Sequence, residues 1–196
     1  MDFLVKELKI KFSVNKLQEY FNILESDYSR FKWEPTLTNL SKVNNHEIHN
    51  IAGLYGYSIQ SNLEDLSIPC PPYNISKNHR DDYRDTEMMF GFARKLKEQF
   101  PYIRQLGISA HPPGVRIGRH IDSPEFIKIH VPITSDPESY FIFDDERFVF
   151  ELGKMYLVNT TLPHSTHNLG KTTRIHMLFK VPQERYTEIL DMDNIL

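Results

Sequence analysis

The stretch "GRHIDSPEFIKIHVPI", residues 118–133, joins two patterns that decide how the chain is read. Its second half alternates. Ile127, Ile129, Val131 and Ile133 fall on one side of an extended segment, and Lys128, His130 and Pro132 fall on the other. Side chains two apart on a strand share a face, so this is a strand with an apolar back and a polar front, as suits a barrel wall around a polar cavity. The first half carries the triplet His120-Ile121-Asp122, which aims an imidazole and a carboxylate at one point. That point is either a metal ion or the hydrogen bond of a His–Asp pair in a turn.

The rest of the chain supports a β-rich reading after Pro101. Short runs such as "IRQLGISAH", "SYFIFD", "RFVFEL", "KMYLVN" and "RIHMLFKV" are separated by turn signals, among them "HPPG", "TSDPES", "FDDE" and "NLGK". Many short strands punctuated in this way predict a sandwich or barrel. In "RIHMLF", Arg174 and His176 share one face while Ile175, Met177 and Phe179 share the other. The first hundred residues read as mixed α/β. "FLVKELKIKF" is a strand, and Ser13 caps a helix with Leu17, Tyr20, Phe21 and Leu24 on one stripe. "AGLYGYSIQ" is a strand, and "TEMMFGFARKLKEQF" is a helix capped by Thr86 with Met89, Phe90, Ala93, Leu96 and Phe100 in line. Residues 68–85 hold three prolines and many charges and read as a long loop, a solvated connection or a lid. "QERYTEILDM" is a short outer helix, and Asp144-Asp145 a hairpin tip. The expectation is a single domain over 1–196, with supporting helices and strands in 1–100, a barrel core carrying the site in 101–182 and a C-terminal helix in 183–196.

Composition narrows the function classes. A net charge of −3 and no basic stripe exclude general attraction to nucleic acid or to anionic membrane. Cys70 is the only cysteine, so no internal disulfide forms and a reducing compartment fits. "MDFLVKELKIKF" is charged throughout, with no apolar core of a signal peptide or membrane span, and the expected location is the cytoplasm.

His120 and Asp122 need a third donor from another strand, and "NTTLPHSTHNLG" offers both His164 and His167. Two histidines and a carboxylate on one face of an octahedron form the facial triad of non-haem Fe(II) oxygenases, which leaves three positions open. Zn²⁺ takes the same ligand types but prefers tetrahedral closure.

Taken in order, "HPPG" at 111–114, His120, "HVPI" at 130–133, Gly153-Lys154, His164 with Asn168, and Arg174 resemble the pattern of the aspartyl/asparaginyl β-hydroxylase family of Fe(II)/2-oxoglutarate dioxygenases over about residues 105–180. Bacterial cis-proline hydroxylases are similar in their core. The resemblance implies a double-stranded β-helix, a jelly-roll or cupin-like barrel flanked by helices. It implies Fe(II) on His120, Asp122 and His164, because the family's arginine stands ten residues after the third ligand, as Arg174 does after His164. It implies 2-oxoglutarate as co-substrate held by Arg174, Ser109 and His130, with O₂ as oxidant. If His164 opens a strand and Arg174 lies on the same or the next layer, both face the cavity, and the guanidinium fork suits a distal carboxylate. Lys128 stands where the family tends to have arginine. Asp122 completes the triad, which several members lack and the cis-proline hydroxylases keep, and it argues against a halogenase.

The implied reaction is hydroxylation of an unactivated C–H in an amino acid, peptide or protein residue of the Asp/Asn/Pro kind. Arg116 and Arg119, near the metal, and the loop "NHRDDYRD" are the candidate substrate contacts. The modest length directs the expectation towards a free amino acid, a small metabolite or a flexible peptide. The competing class is a cupin-like metal-dependent isomerase or binding protein without 2-oxoglutarate, in which Arg174 would have no dicarboxylate to face. His111, before Pro112 in a turn, reads as structural, His176 as a residue behind the ligands, and His46, His49 and His79 as solvated.

Overall fold

The computed structural model describes residues 2–35, 48–49, 53–70, 83–192 and 196; His46, His79 and most of the long loop (71–82) lie outside them. In chain order the elements are β1 (Val5–Leu8), α1 (Val14–Asp27), a 3₁₀ turn (Ser29–Phe31), β2 (Ile48–His49), β3 (Tyr55–Ser58), β4 (Gln60–Ser61), β5 (Arg84–Asp85), α2 (Gly91–Gln99), β6 (Arg104–His111), β7 (Arg116–His120), β8 (Phe126–Pro132), β9 (Ser139–Phe143), β10 (Glu146–Val149), β11 (Met155–Val158), β12 (His164–Asn168) and β13 (Arg174–Pro182). A second 3₁₀ turn (Gln183–Arg185) and α3 (Tyr186–Leu190) follow.

Strands β6 to β13 build a double-stranded β-helix. The larger antiparallel sheet runs β1-β11-β8-β13-β6-β3, and the sheet facing it runs β10-β9-β12-β7-β2. The chain passes from one sheet to the other at almost every connection, as jelly rolls do. The two faces of the larger sheet separate as the alternation requires. Ile127, Ile129, Val131 and Ile133, with Ile175, Met177, Phe179 and Val181, form the main core with Leu17, Tyr20 and Leu24 of α1 and Phe92, Ala93 and Leu96 of α2. The helices therefore cover the outside of this sheet and leave its inner face to the cavity. The space between the sheets holds a smaller aromatic cluster of Phe141, Phe143, Phe150, Tyr156 and Val158.

Ser13 caps α1 as expected, its hydroxyl accepting from the Lys16 amide. The second helix departs from expectation. It begins at Gly91 with Phe90 as the capping residue, four positions after the expected start. Thr86 instead ties itself to the strand region, its amide and its hydroxyl both donating to the Ile59 carbonyl at 3.0 and 2.9 Å. Gly91 then takes a positive φ of 50°, a left-handed geometry that breaks a continuous helix and that glycine adopts readily. The apolar stripe is still used, with Met89, Ala93, Leu96 and Phe100 all buried.

Two strands carry no apolar alternation, β7 ("RIGRH") and β12 ("HSTHN"). They pair antiparallel, with His164 directly opposite His120, and the register slips between His164 and Thr166. Asn168, fully buried, pins the end of β12. Its amide nitrogen donates to the carbonyls of His111 and Thr172 at 2.7 and 2.9 Å, and the Gly114 amide donates to its backbone carbonyl at 2.6 Å. The "HPPG" turn and the "H-x-x-x-N" spacing are thus the two ends of one hydrogen-bonded joint between the sheets.

Candidate metal centre

His120 ends β7, His164 opens β12, and Asp122 lies just past β7, where its amide donates to the Thr160 carbonyl at 2.9 Å. Cross-strand pairing sets the two imidazoles side by side, with ring centroids 4.2 Å apart. One donor atom from each of His120, Asp122 and His164 lies within 4.8 Å of the others, and His164 Nε2 is 3.8 Å from Asp122 Oδ2. Each ring is oriented by the carbonyl two residues before it. His120 Nδ1 pairs with the Gly118 carbonyl at 2.8 Å, and His164 Nδ1 with the Leu162 carbonyl at 2.9 Å. A carbonyl on Nδ1 sets the tautomer and directs Nε2 as the ligating nitrogen. Phe143 and Phe141 stack against His164 at 5.6 and 6.2 Å and fix its plane.

The electrostatics suit a cation ligand set. Burial, followed by the neighbouring His164, pushes His120 down to about 4, so it is neutral at pH 7 and able to ligate. Burial by itself would raise the Asp122 carboxyl, but the Lys128 ammonium, 2.6 Å from Oδ2, outweighs it, and the net effect holds Asp122 well below the usual carboxylate range. Two imidazoles and one carboxylate match a divalent-metal facial triad.

Behind the triad the pocket is walled by β6, β8 and β13 on one side and by β9 and β12 on the other. Arg174 is only 6% exposed and lies over Phe141, with Cζ 5.3 Å from the ring centroid. Its Nη2 donates to His111 Nδ1 at 2.6 Å, and His111 Nε2 lies 2.9 Å from Ser109 Oγ. Because a guanidinium only donates, His111 accepts on Nδ1, and a proton on Nε2 is then donated to the serine oxygen. Arg174 Nε and Nη1, both ring nitrogens of His130, His176 Nδ1 and Thr166 Oγ1 are buried without a hydrogen-bond partner among the described residues. Native interiors leave few such groups, and so many around one cavity mark a space that a polar ligand completes. Burial and the Arg174 charge keep His111 and His176 neutral, and burial and the neighbouring cations do the same for His130.

These three rings give a pH prediction. In the unfolded chain they titrate near 6.5, whereas the folded protein refuses the proton, so stability is full above 6.5 and is lost as pH falls below it. The expected loss is up to about 1.4 kcal/mol per pH unit for each ring. Urea unfolding of the metal-free protein at pH 7, 6 and 5 measures it, and a flat profile over that range would contradict neutral burial.

The structure thus brings together His120, Asp122 and His164, and groups Arg174, Ser109 and His130 in the pocket behind them. His111, expected to be structural, is the direct partner of Arg174; its cross-strand position opposite Arg174 is a register fact that the sequence does not display. Arg116 and Arg119 are not brought to the pocket. Arg119 is exposed and ion-pairs with Asp144 at 2.8 Å, and Arg116 pairs in register with His167 on the outer face of the smaller sheet. His167 packs there beside Tyr140, facing away from His164, because the residues of a strand alternate.

Fold and site together define a double-stranded β-helix protein with a His-Asp-His centre and a buried guanidinium in the cavity beside it. Residues 75–184, more than half of the sequence, match the model of a family described as aspartyl/asparaginyl beta-hydroxylase. The chain belongs to the aspartyl/asparaginyl β-hydroxylase family. Among solved structures it is similar to a prolyl-4-hydroxylase of Pseudomonas putida, at 10% identity over 91% of each chain and a TM-score of 0.47. It is also similar to an oxidoreductase of the 2OG-Fe(II) oxygenase family from Burkholderia pseudomallei, at 11% identity, 86% of this chain, 89% of that one and a TM-score of 0.45. A third is a ribosomal oxygenase of Escherichia coli in complex with cobalt and 2-oxoglutarate, at 18% identity, 48% of this chain, 29% of that one and a TM-score of 0.33. No curated protein sequence matches the chain. Among the described residues, no helix is long and apolar enough to cross a membrane.

Proposed function

We propose that this protein is an Fe(II)/2-oxoglutarate-dependent hydroxylase acting on an unactivated C–H bond of an amino acid, peptide or protein residue, and that residues 1–196 work as one dioxygenase domain. The observation that carries the reading is Arg174. It is a guanidinium buried in the cavity behind a His-Asp-His triad, its Nε and Nη1 have no partner, and no carboxylate pairs with it among the described residues. An uncompensated buried charge costs several kcal/mol, about 3–5 where a partner is simply removed, and a dicarboxylate ligand supplies the missing anion. A cupin-like isomerase or binding protein whose ligand is not an anion has no use for that cation.

His120, Asp122 and His164 would hold the iron. Arg174 would take the distal carboxylate of 2-oxoglutarate, with Ser109 behind it through His111. His130, unpartnered on both ring nitrogens, faces the same space from β8. When bound, Fe(II), 2-oxoglutarate and O₂ supply the oxidising chemistry, which releases succinate and CO₂. The residues of this chain orient the co-substrate, and the aromatic cluster of Phe141, Phe150 and Tyr156 keeps water from the inner wall. The neutral histidines add donors and acceptors without repelling the guanidinium.

The test is an anaerobic Fe(II) titration with and without 2-oxoglutarate. A visible metal-to-ligand charge-transfer band that requires both components is expected, followed by succinate release in air. Iron binding with no response to 2-oxoglutarate would favour the isomerase or binding class.

A further inference from the structure

A second cationic pole lies on the same inner wall, at the other end of β13. Lys180 stands six residues after Arg174, on the face that also carries His176 and Leu178, while Phe179 and Val181 point into the main core. Its cross-strand neighbours are Lys128 on β8 and Arg104 on β6, so three cationic residues stand in one row across three strands. The Lys180 ammonium and the Arg104 guanidinium lie over the Phe126 ring, at 5.7 and 6.0 Å from its centroid, which holds both in place. Asp122 is engaged by Lys128 at 2.6 Å. Lys180 is half-buried and has no hydrogen bond or ion pair among the described residues. Burial, and after it the Lys128 charge, pull its pKa down to about 8, with Asp122 acting the other way.

Asp122 offsets Lys128, so Lys180 is left without an anion among the described residues, at a place reached from the metal centre through the Lys128–Asp122 contact. Arg174 and this row stand at opposite ends of one strand, with the triad facing them from the other sheet. A single small dicarboxylate that chelates the metal and reaches Arg174 leaves the second pole unmet.

We propose that Lys180, beside Lys128, forms a subsite that binds a carboxylate of the primary substrate, so that the group to be hydroxylated is presented to the metal from an anionic anchor. This rests on the dioxygenase reading and adds to it the chemical class of the substrate's anchoring group. Lys180 is a binding residue for the primary substrate, and it stands apart from the co-substrate residues.

The experiment measures succinate release by the Fe(II)-loaded protein with the twenty proteinogenic L-amino acids and their N-acetyl derivatives, each beside its carboxamide. Stimulation is expected from members with a free carboxylate and is expected to vanish on amidation. Lys180→Met should raise the half-saturating concentration of a stimulating member by about 30-fold or more, the scale for truncating one partner of a desolvated charge pair. Lys180→Arg should restore it. In both variants the 2-oxoglutarate concentration that half-develops the charge-transfer band should match the wild type, which also reports an intact fold. Equal stimulation by amides, an unchanged concentration dependence in Lys180→Met, or a normal band with no response to any member of the panel would overturn the subsite. Absence of the band from the wild type would overturn the dioxygenase reading itself, and the subsite with it.

Discussion

Arg174→Met is expected to leave the ligand-free protein at least as stable as the wild type while it abolishes tight 2-oxoglutarate binding. The two effects have one cause. Without a ligand, the guanidinium is buried with Nε and Nη1 unpartnered, its one hydrogen bond goes to a neutral imidazole, and burial depresses it to about 9. Replacing a buried charged group by an apolar one of similar length is often neutral or stabilising by about 1–4 kcal/mol. For a chain of this size each kcal/mol moves the melting temperature by roughly 2–4 °C. With the ligand present, the same change deletes one partner of a buried charge pair, a loss of about 2–5 kcal/mol. In affinity that is roughly 30- to 5,000-fold. Melting curves without ligand and calorimetric titration of 2-oxoglutarate into the Fe(II)-loaded protein measure the two halves. A variant that melts well below the wild type yet still binds 2-oxoglutarate would make Arg174 a structural residue and remove the support for the proposed function.

His164→Ala should eliminate the metal centre, and His167→Ala should not. The two histidines are three apart in one short strand and were equivalent candidates by residue type, yet only His164 faces His120 and Asp122. Loss of an outer partner of a metal ligand costs about 10–100-fold in affinity or activity, so loss of a ligand should exceed 100-fold. Fe(II) titration and succinate release read the difference. His167, beside Tyr140 on the outer face, should return wild-type values. Loss of iron binding in His167→Ala with retention in His164→Ala would reverse the ligand assignment.

Much of the barrel was legible because the larger sheet is half buried. Its outer face packs on helices, so β8 and β13 must alternate apolar and polar, and the polar members turn out to be the cavity wall. The strands of the metal centre were the least legible. In β12 the inward positions are a ligand, a threonine and an asparagine, and in β7 a register slip breaks the alternation between Ile117 and the ligand His120, so the site erases the pattern that normally announces a strand. The triad was readable through spacing, since His120 and Asp122 are close in sequence and Arg174 follows His164 by ten. His111 was misread because its role comes from the pairing of β6 with β13, a long-range register. The arginines failed for a related reason: proximity along the chain does not say which face of a strand is wet, and Arg119 finds an exposed partner in Asp144. The late start of α2 lay in one residue, Gly91, whose left-handed backbone is silent in a hydrophobic pattern.

Each ligand imidazole is held at Nδ1 by the backbone carbonyl two positions back, that of Gly118 for His120 and that of Leu162 for His164. The aim of both rings is thus encoded in the backbone. Apart from Phe141 and Phe143, which stack on His164, the surrounding pocket can exchange side chains during divergence, or in a laboratory redesign towards another substrate, without re-teaching the histidines where to point. Capture of a metal then starts from rings already turned inward, and little rotamer freedom is left to surrender when it arrives.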